Sequence, residues 1–271
     1  MSEIIRLASL DDPRLDVFAR LTDHQLRARV EGERGLLVCE SPIAVAAALD
    51  AGVEPVSFLL DEGRVETCAA LLRRAGDEVT AFVLPRDEMS RLTGYHVTRG
   101  FLCAMRRPAP RTPDEVLEGA RNVVVLEDLV DTSNVGALVR SAAALGADAV
   151  LLSPRCCDPL CRRSVRVSMG TVFMVPWARV DDATWPHVCD LLRSHGLTCL
   201  AMALEPDAVP IDDPSLAGLG PRALFFGTEG TGLSRSVLDA CDRSVIIPMS
   251  RGVDSLNVAA SSAVAFWQLF R

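Results

Sequence analysis

A glycine-rich segment after a strand-like run is the part of this chain best suited to bind a ligand. It is Gly227–Gly232, with the sequence Gly-Thr-Glu-Gly-Thr-Gly, and it follows the apolar residues Ala223–Phe226. Glycines there let backbone amides approach a ligand closely, because they lack a Cβ and tolerate positive φ. No Gly-Lys-Ser/Thr follows, which excludes a P-loop, and Glu229 suits a cationic ligand better than a phosphate. Taken alone, the segment is equally compatible with an ordinary turn.

A second segment with the same organisation lies about a hundred residues earlier. The apolar run Val123–Leu126 predicts a buried strand, and a polar turn follows it. A helix is expected to begin near Asn134 and to carry Arg140, with Gly146 as its C-terminal stop. In isolation, Asn134 suits a helix cap and Arg140 a solvated helix face.

A third segment repeats the pattern close to the end of the chain. The run Val245–Met249 predicts a strand, and Ser255 and Asn257 stand after a short loop where capping residues are found. Strands and helices alternate throughout residues 121–271. This alternation predicts a mostly parallel sheet covered on both faces.

The first hundred residues predict a separate, smaller α/β unit. Strands are expected at 36–39, 56–60, 79–84 and 100–105, and helices at 42–51, 66–74 and 86–92. Pro108, Pro110 and Pro113 indicate an extended linker. We therefore expect an N-terminal domain at 1–107, a linker at 108–120 and a second domain at 121–271.

Together the segments resemble the SpoU (TrmH) family of RNA ribose 2′-O-methyltransferases in the SPOUT superfamily. That family has N-x-G followed by an arginine, then R-x-S-x-G, then G-x-E-G-x-G ending in I-P-M, and finally S-L-N-V. The matching residues are, in chain order, Asn134–Gly136 with Arg140, Arg166–Gly170, Gly227–Gly232 with Ile247–Met249, and Ser255–Val258. Each motif is weak by itself, but the ordered set is highly specific and covers roughly residues 121–271.

The resemblance implies an α/β fold whose C-terminal methyltransferase domain contains the deep trefoil knot of the SPOUT type. It implies that S-adenosylmethionine is bound in a bent conformation between the G-x-E-G-x-G and S-L-N-V motifs. It also implies a homodimer that packs through the knotted domains. The expected cofactor contacts are Leu204, Gly227, Glu229, Gly230, Ile247, Met249 and Leu256.

The implied reaction is attack of a ribose 2′-hydroxyl on the sulfonium methyl group, which requires close alignment of the reacting atoms. Because a guanidinium resists deprotonation, we interpret Arg140 as stabilising the developing alkoxide or contacting the adjacent phosphate. The general base that accepts the proton of the 2′-hydroxyl is left unassigned. Glu229 is expected to hold Asn134 or Arg140, or to complement the sulfonium charge. The expected catalytic residues are Asn134, Arg140, Glu229, Ser255 and Asn257.

The N-terminal residues resemble, more loosely, the small substrate-binding domain that many SpoU enzymes carry. Thr93–His96 and Gly100 match its pattern, whereas the usual Glu-Gly after the first strand is Glu40-Ser41. Arginine-rich stretches at 99–111 and 155–166 contain almost no acidic residues, and guanidinium groups bind phosphate and stack on bases. The same arginine-rich composition is also compatible with a basic surface that contacts only solvent. With the resemblance, the candidate RNA contacts are Tyr95, Arg99, Arg106, Arg107, Arg163 and Arg166.

Composition sets outer limits on the function. All 28 basic residues are arginine, and the formal net charge of −8 argues against a surface coated for nonspecific nucleic-acid binding. No apolar run approaches the ~18 residues of a membrane span, and Met1–Arg6 lacks a signal-peptide core, so we expect a cytoplasmic protein without membrane partners. Nine cysteines without a C-x-x-C predict reduced thiols and no metal site. The alternative hypothesis is a redox or metal site formed by Cys156, Cys157 and Cys161.

Two other functions are alternatives to an RNA methyltransferase of this family. A non-catalytic RNA-binding or ribosome-assembly protein on a SPOUT scaffold is disfavoured, because Asn134, Arg140, Glu229, Ser255 and Asn257 are all present. A Rossmann-type small-molecule methyltransferase is excluded, because the turn after Val123–Glu127 is not glycine-rich. The sequence does not decide between ribosomal and transfer RNA; ribosomal RNA is our first expectation.

Overall fold

A computed structural model describes residues 3–7, 10–21, 31 and 34–270. Met1, Ser2 and Arg271, which belong to the predicted domains, lie outside the described residues. The strands are Ile4–Arg6 (β1), Leu36–Glu40 (β2), Pro55–Asp61 (β3), Thr80–Leu84 (β4), Phe101–Arg106 (β5), Asn122–Leu126 (β6), Ala149–Leu152 (β7), Trp177–Arg179 (β8), Thr198–Met202 (β9), Val209–Pro210 (β10), Arg222–Phe226 (β11) and Arg243–Ile246 (β12).

The α-helices are Pro42–Asp50 (α1), Ala69–Ala75 (α2), Arg86–Thr93 (α3), Pro113–Leu117 (α4), Thr132–Leu145 (α5), Arg162–Val167 (α6), Val188–Ser194 (α7), Pro214–Ala217 (α8), Arg235–Ala240 (α9) and Val258–Leu269 (α10). Short 3₁₀ helices lie at Pro13–Phe18, Glu62–Arg64, Thr171–Phe173 and Trp185–His187. None of the helices in the described ranges has the length and apolar character that a membrane crossing requires.

Residue contacts divide the chain into two compact units. The first unit spans Met1–Ala109 and Leu160–Phe173, and the second unit spans Pro110–Pro159 and Met174–Arg271. The domains expected from the sequence were 1–107 and 121–271. The structure therefore differs at two places, residues 110–120 and residues 160–173.

The first unit is built on a mixed five-stranded sheet with the order β1-β4-β3-β5-β2. β1, β4 and β3 run parallel, whereas β5 is antiparallel to both β3 and β2. The predicted strands from β2 to β5 are confirmed to within one residue at each end. One core joins this sheet to α3 and the first 3₁₀ helix, and it includes Leu15, Phe18, Val38, Leu59, Phe82, Met89 and Leu102.

Residues 160–173 belong to the first unit because they cover two of its elements. α6 packs against β2, and the 3₁₀ helix Thr171–Phe173 packs against α1. Between them, Gly170 has a φ of +86°, and a Cβ at this position would lie 2.9 Å from the Cα of Ala44. Only glycine fits so close an approach. Sequence reasoning had assigned these residues to the second domain, since their packing partners are distant in the chain.

The second unit contains a parallel seven-stranded sheet with the order β10-β12-β9-β11-β6-β7-β8. The interior strand β6 reads as a continuous apolar run, and Val123–Leu126 are fully buried. This is the pattern of a parallel strand covered on both faces. The predicted α/β class is confirmed, and the trefoil knot stays a prediction.

Residues 113–120 belong to the second unit's core and do not form an extended linker. Thr112 Oγ1 accepts a hydrogen bond from the Glu115 backbone N–H at 3.3 Å, and the Glu115 carboxylate accepts one from the Thr112 N–H at 2.6 Å. This reciprocal capping box starts α4, with Pro113 in the first turn, where proline is favoured. Val116, Leu117 and Ala120 then enter the core. Of the three prolines that suggest a linker, Pro113 therefore marks a helix start.

Two helices carry the predicted catalytic asparagines at their N-terminal ends. Asp131 caps α5 by accepting hydrogen bonds from the backbone N–H groups of Ser133 at 2.7 Å and Asn134 at 3.0 Å. Asn134 is therefore not the cap, and its side chain makes other contacts. Asn257 caps α10 through the Ala259 N–H at 3.0 Å. Because α10 packs along α5, the two asparagines lie close together.

Candidate active site

Four neighbouring strands of the second unit, β12, β9, β11 and β6, end on the same edge of the sheet. Open parallel sheets bind ligands outside the carboxyl ends of their strands. A pocket of about 320 Å³ lies at this edge, formed by residues that follow β9, β11 and β12 together with the segment before α10. Its size fits a small-molecule ligand.

All residues that the sequence predicted as cofactor contacts line this pocket. They are Leu204, Gly227, Glu229, Gly230, Ile247, Met249 and Leu256. The predicted catalytic residue Ser255 also lines it. Residues separated by up to about fifty positions in the chain are therefore brought together around one volume.

Gly227 cannot be replaced without moving the loop. A Cβ at this position would lie 2.2 Å from the carbonyl carbon of Gly232. The loop is closed this tightly because Thr228 and Gly232 exchange backbone hydrogen bonds of 3.1 and 3.0 Å. Gly232 has a φ of +69°, which favours glycine. The glycine pattern is thus required by the loop's own closure, and the closed loop lines the pocket.

The pocket wall is acidic. Glu205, Glu229 and Asp254 line it, and the lining residues that the structure describes include no arginine or histidine. Glu205 is held by Arg235, whose Nη1 lies 2.9 Å from the carboxylate. A wall of carboxylates attracts a cationic ligand and repels a phosphate. Ile247, Met249 and Leu256 add apolar surface.

Three of the predicted catalytic residues form one hydrogen-bonded group. Glu229 Oε1 accepts hydrogen bonds from Asn134 Nδ2 at 2.8 Å and from Asn257 Nδ2 at 2.5 Å. Asn257 Nδ2 also lies 3.0 Å from Asn134 Oδ1. Two amides thus fix the orientation of a carboxylate at the pocket wall, and they come from the N-terminal ends of α5 and α10.

Arg140 lies outside this group. It is exposed on α5, six residues after Asn134, which places it about 120° away around the helix. Within the described part of the chain, nothing accepts a hydrogen bond from its guanidinium. The structure therefore joins Asn134, Glu229 and Asn257, places Ser255 in the pocket wall, and leaves Arg140 apart from them.

Tyr95, predicted to stack on an RNA base, is partly buried against the core of the first unit. The Arg162 guanidinium lies 4.4 Å from the centre of its ring, and the ring also packs against the apolar core. Burial disfavours the phenolate and raises the pKa of Tyr95 to about 12. This environment favours a packing role over base stacking.

The arginines predicted to contact RNA differ in their surroundings. Arg163 is exposed, whereas Arg166 lies 3.5 Å from the buried carboxylate of Glu40. Arg106 pairs with Glu54 at 3.1 Å, and Arg99 lies 3.8 Å from the sulfur of Met169. The backbone N–H of Arg107 donates to Gly35 O at 2.8 Å. Arg163 and Arg106 are thus the two exposed candidates, and Arg106 is paired with Glu54.

The three cysteines left as an alternative site divide between the units. Cys156 is buried, its thiol donates to Leu126 O at 3.1 Å, and burial raises its pKa. Cys157 is half-buried in the second unit, and Cys161 precedes α6 in the first unit. Burial of Cys156 suits an unreactive thiol.

Sequence reasoning missed Glu127, Glu205 and Asp254. Glu205 and Asp254 line the pocket, and Glu127 is buried directly after β6. Their positions carried a signal, since acidic residues just past the carboxyl ends of parallel strands lie at the ligand-binding edge. Glu205 and Glu127 both follow strand-like apolar runs in the sequence.

Comparison with known proteins agrees with this geometry. The family model of the SpoU rRNA methylases matches residues 121–267. An uncharacterized tRNA/rRNA methyltransferase of Mycobacterium bovis is 38% identical over 262 residues, covering 96% of this chain and 90% of the relative. The likeness therefore extends over both units.

Solved structures show the same fold. A crystal structure of an RNA 2′-O ribose methyltransferase is 26% identical with a TM-score of 0.77, covering 98% of each chain. A SpoU methyltransferase from Streptomyces viridochromogenes, solved in complex with AdoMet, is 21% identical with a TM-score of 0.80, covering 95% of this chain and 97% of that one. The chain belongs to the SpoU rRNA methylase family.

Proposed function

We propose that this protein uses S-adenosylmethionine to methylate a ribose 2′-hydroxyl of structured RNA, with ribosomal RNA as the first substrate class to test and transfer RNA as the second. Family membership supports RNA methylation. The name of the solved RNA 2′-O ribose methyltransferase supports the ribose as the target. The protein would act in the cytoplasm, where its substrate is found. The observation that carries the proposal is the acidic, glycine-walled pocket at the ends of β9, β11 and β12.

The pocket fits the proposed cofactor in charge and shape. When bound, S-adenosylmethionine supplies an electrophilic methyl group on a positively charged sulfonium. Glu229 and the neighbouring carboxylates of the wall complement positive charge, and Ile247, Met249 and Leu256 offer the apolar surface that an adenine requires. The absence of a Cβ at Gly227 allows the loop to close, and glycines in the wall would let backbone amides approach the cofactor. Phosphate-bearing cofactors fit this acidic wall poorly.

The catalytic residues orient groups and stabilise charge. Asn134 and Asn257 hold the Glu229 carboxylate in one orientation, so that it faces the cationic ligand without reorganising. Ser255 in the wall can hydrogen-bond the RNA hydroxyl or the cofactor. Arg140 provides a planar guanidinium for the developing alkoxide or the adjacent phosphate. The group that accepts the hydroxyl proton is left unassigned.

Arg140 serves this role in a homodimer that packs through the second unit. Arg140 lies apart from the Asn134–Glu229–Asn257 group of its own chain, so we propose that it completes the site of a second copy. α10 supports this proposal, because Val264 and Trp267 are 41% and 53% exposed on one face of a helix whose other face is buried. Apolar side chains left exposed in this way are typical of subunit interfaces.

Methyl transfer from radiolabelled S-adenosylmethionine to RNA tests the proposal. Purified protein is incubated with ribosomal or transfer RNA, and the RNA is then hydrolysed in alkali. A 2′-O-methyl group blocks cleavage of the next phosphodiester bond, so the label should appear in alkali-resistant dinucleotides. Arg140→Ala should lose most of the transfer and keep cofactor affinity, because Arg140 does not line the pocket.

Each outcome decides between the enzyme and its alternatives. Label in mononucleotides alone would place the methyl group on a base and contradict ribose methylation. Cofactor binding without any transfer to either RNA would favour a non-catalytic RNA-binding protein. Failure to bind S-adenosylmethionine, measured by calorimetry on folded protein, would overturn the proposal as a whole.

A further inference from the structure

Glu127 is a buried carboxylate that the proposed reaction does not use. It is 5% exposed and directly follows β6. Its side chain accepts two hydrogen bonds from a single residue: Oε2 from the backbone N–H of Ser234 at 2.7 Å, and Oε1 from the Ser234 hydroxyl at 2.6 Å. Hydrogen bonds to a carboxylate are among the stronger ones in proteins, and here they join residues 107 positions apart.

The partners of Glu127 stand at both ends of the glycine-rich loop. Its backbone N–H donates to Phe226 O at 2.9 Å, and Phe226 is the residue before the loop. Ser234 comes two residues after Gly232 and caps α9, since its Oγ accepts from the Val237 N–H at 3.4 Å. The residue that directly follows β6 thus holds the entry of the loop through its backbone and the exit through its side chain.

The loop is sensitive to the distance between its ends. Its backbone is closed by the Thr228–Gly232 pair, and there is no room between Gly227 and Gly232 even for a methyl group. A shift of Ser234 by about a few tenths of an ångström would therefore also move the loop residues that line the pocket. Glu127 and Ser234 themselves do not line the pocket.

We propose that Glu127 is a positioning residue that sets the conformation of the cofactor loop through Ser234. The inference rests on the proposed function, because the loop's ligand is taken to be S-adenosylmethionine. A carboxylate is required since both Ser234 groups donate to it. A glutamine would turn its own N–H donors towards one of them, and an aspartate is one methylene too short to keep both contacts.

Glu127→Gln tests the proposal with Asp242→Asn as the matched control. Asp242 is another carboxylate of the second unit that accepts a backbone hydrogen bond, from Cys199 N–H at 2.7 Å, and it does not line the pocket. Both variants should melt at lower temperature than the wild type. Glu127→Gln should raise the Kd for S-adenosylmethionine about tenfold, the effect of losing one hydrogen bond to a charged group. Asp242→Asn should leave that Kd unchanged within about twofold.

Kinetics separate positioning from a general loss of structure. Glu127→Gln should raise the KM for S-adenosylmethionine by a larger factor than it lowers kcat at saturating cofactor, because the loop contributes mainly to binding in ground and transition states alike. An unchanged Kd and KM in folded Glu127→Gln would overturn the inference. A wild-type protein that does not bind the cofactor would instead overturn the proposed function.

Ser234→Ala provides the second variant if Glu127→Gln does not fold. It removes the hydroxyl contact at 2.6 Å and keeps the backbone contact at 2.7 Å. The Kd should rise about threefold, because one of two contacts is lost. Loss of the cap also weakens α9, so Asp213→Ala, which removes the cap of α8, is its control and should leave the Kd unchanged. Equal Kd values for Ser234→Ala and the wild type would contradict the inference.

Discussion

The Glu40 carboxylate accepts a hydrogen bond of 3.0 Å from Arg162, although the two residues are 122 positions apart. Glu40 is fully buried at the end of β2, and Arg162 is the first residue of α6. Arg166, one turn later, lies 3.5 Å from the same carboxylate, and the Arg162 guanidinium also covers the Tyr95 ring. A single buried charge therefore fixes α6 on the sheet of the first unit.

Arg162→Ala should destabilise the protein strongly. The substitution leaves the buried Glu40 carboxylate with only the weaker Arg166 contact. Removing one partner of a buried ion pair lowers the free energy of unfolding by about 3 kcal/mol. The neighbouring Arg163→Ala is the matched control and should change the free energy of unfolding by less than about 0.5 kcal/mol, because Arg163 is exposed. Urea unfolding measures both. Similar free energies for the two variants would show that Glu40 is satisfied without Arg162.

Ser41→Gly should stabilise the protein. Ser41 has φ 111° and ψ 148°, a region that glycine occupies and other residues enter at a cost of about 1–3 kcal/mol. Its hydroxyl caps α1 through the Ala44 N–H at 3.3 Å, but replacing such a cap by glycine costs only a few tenths of a kcal/mol. The melting temperature should therefore rise. Ser41→Ala loses the cap and keeps the strain, so it should melt below the wild type, and the reverse order would contradict this account.

Gly227→Ala should abolish cofactor binding in a folded protein. The added methyl group would meet the backbone of Gly232 at 2.2 Å, so the loop must open. Gly218→Ala is the control, because no atom lies within 4 Å of a Cβ there and Gly218 does not line the pocket. Calorimetric titration with S-adenosylmethionine should show binding for Gly218→Ala alone. Wild-type affinity in Gly227→Ala would show that this loop is not the cofactor site.

Val264→Glu should produce monomers. A charge on the exposed apolar face of α10 would have to be desolvated in the proposed dimer interface. Ile43→Glu makes the same kind of change on a helix of the first unit, where Ile43 is 59% exposed, and should leave the dimer intact. Light scattering at micromolar concentration should give twice the mass of one chain for the wild type and Ile43→Glu. A wild-type monomer with full methyl transfer would exclude a site shared between copies.

Local patterns predicted the strands well and the long-range contacts poorly. β6 was predicted to within one residue because a continuous apolar run between polar turns leaves little choice. The start of α5 was misjudged because Asp131 and Asn134 are both good capping residues, and only the fold shows that Asp131 caps. The Glu127–Ser234 contact could not be predicted, since nothing in the neighbourhood of either residue indicates its partner.

The placement of residues 160–173 also bears on how the chain folds during synthesis. An N-terminal domain ordinarily completes its core before the rest of the chain is made. The ribosome adds about 5–20 residues per second. Here Glu40 leaves the ribosome 122 residues before Arg162, a delay of roughly 6 to 24 seconds at those rates. During that interval β6 and β7 of the second unit are already emerging. We therefore expect the first unit to complete its core only after β6 and β7 have been made, and a nascent chain halted before residue 162 to carry Glu40 without its Arg162 partner.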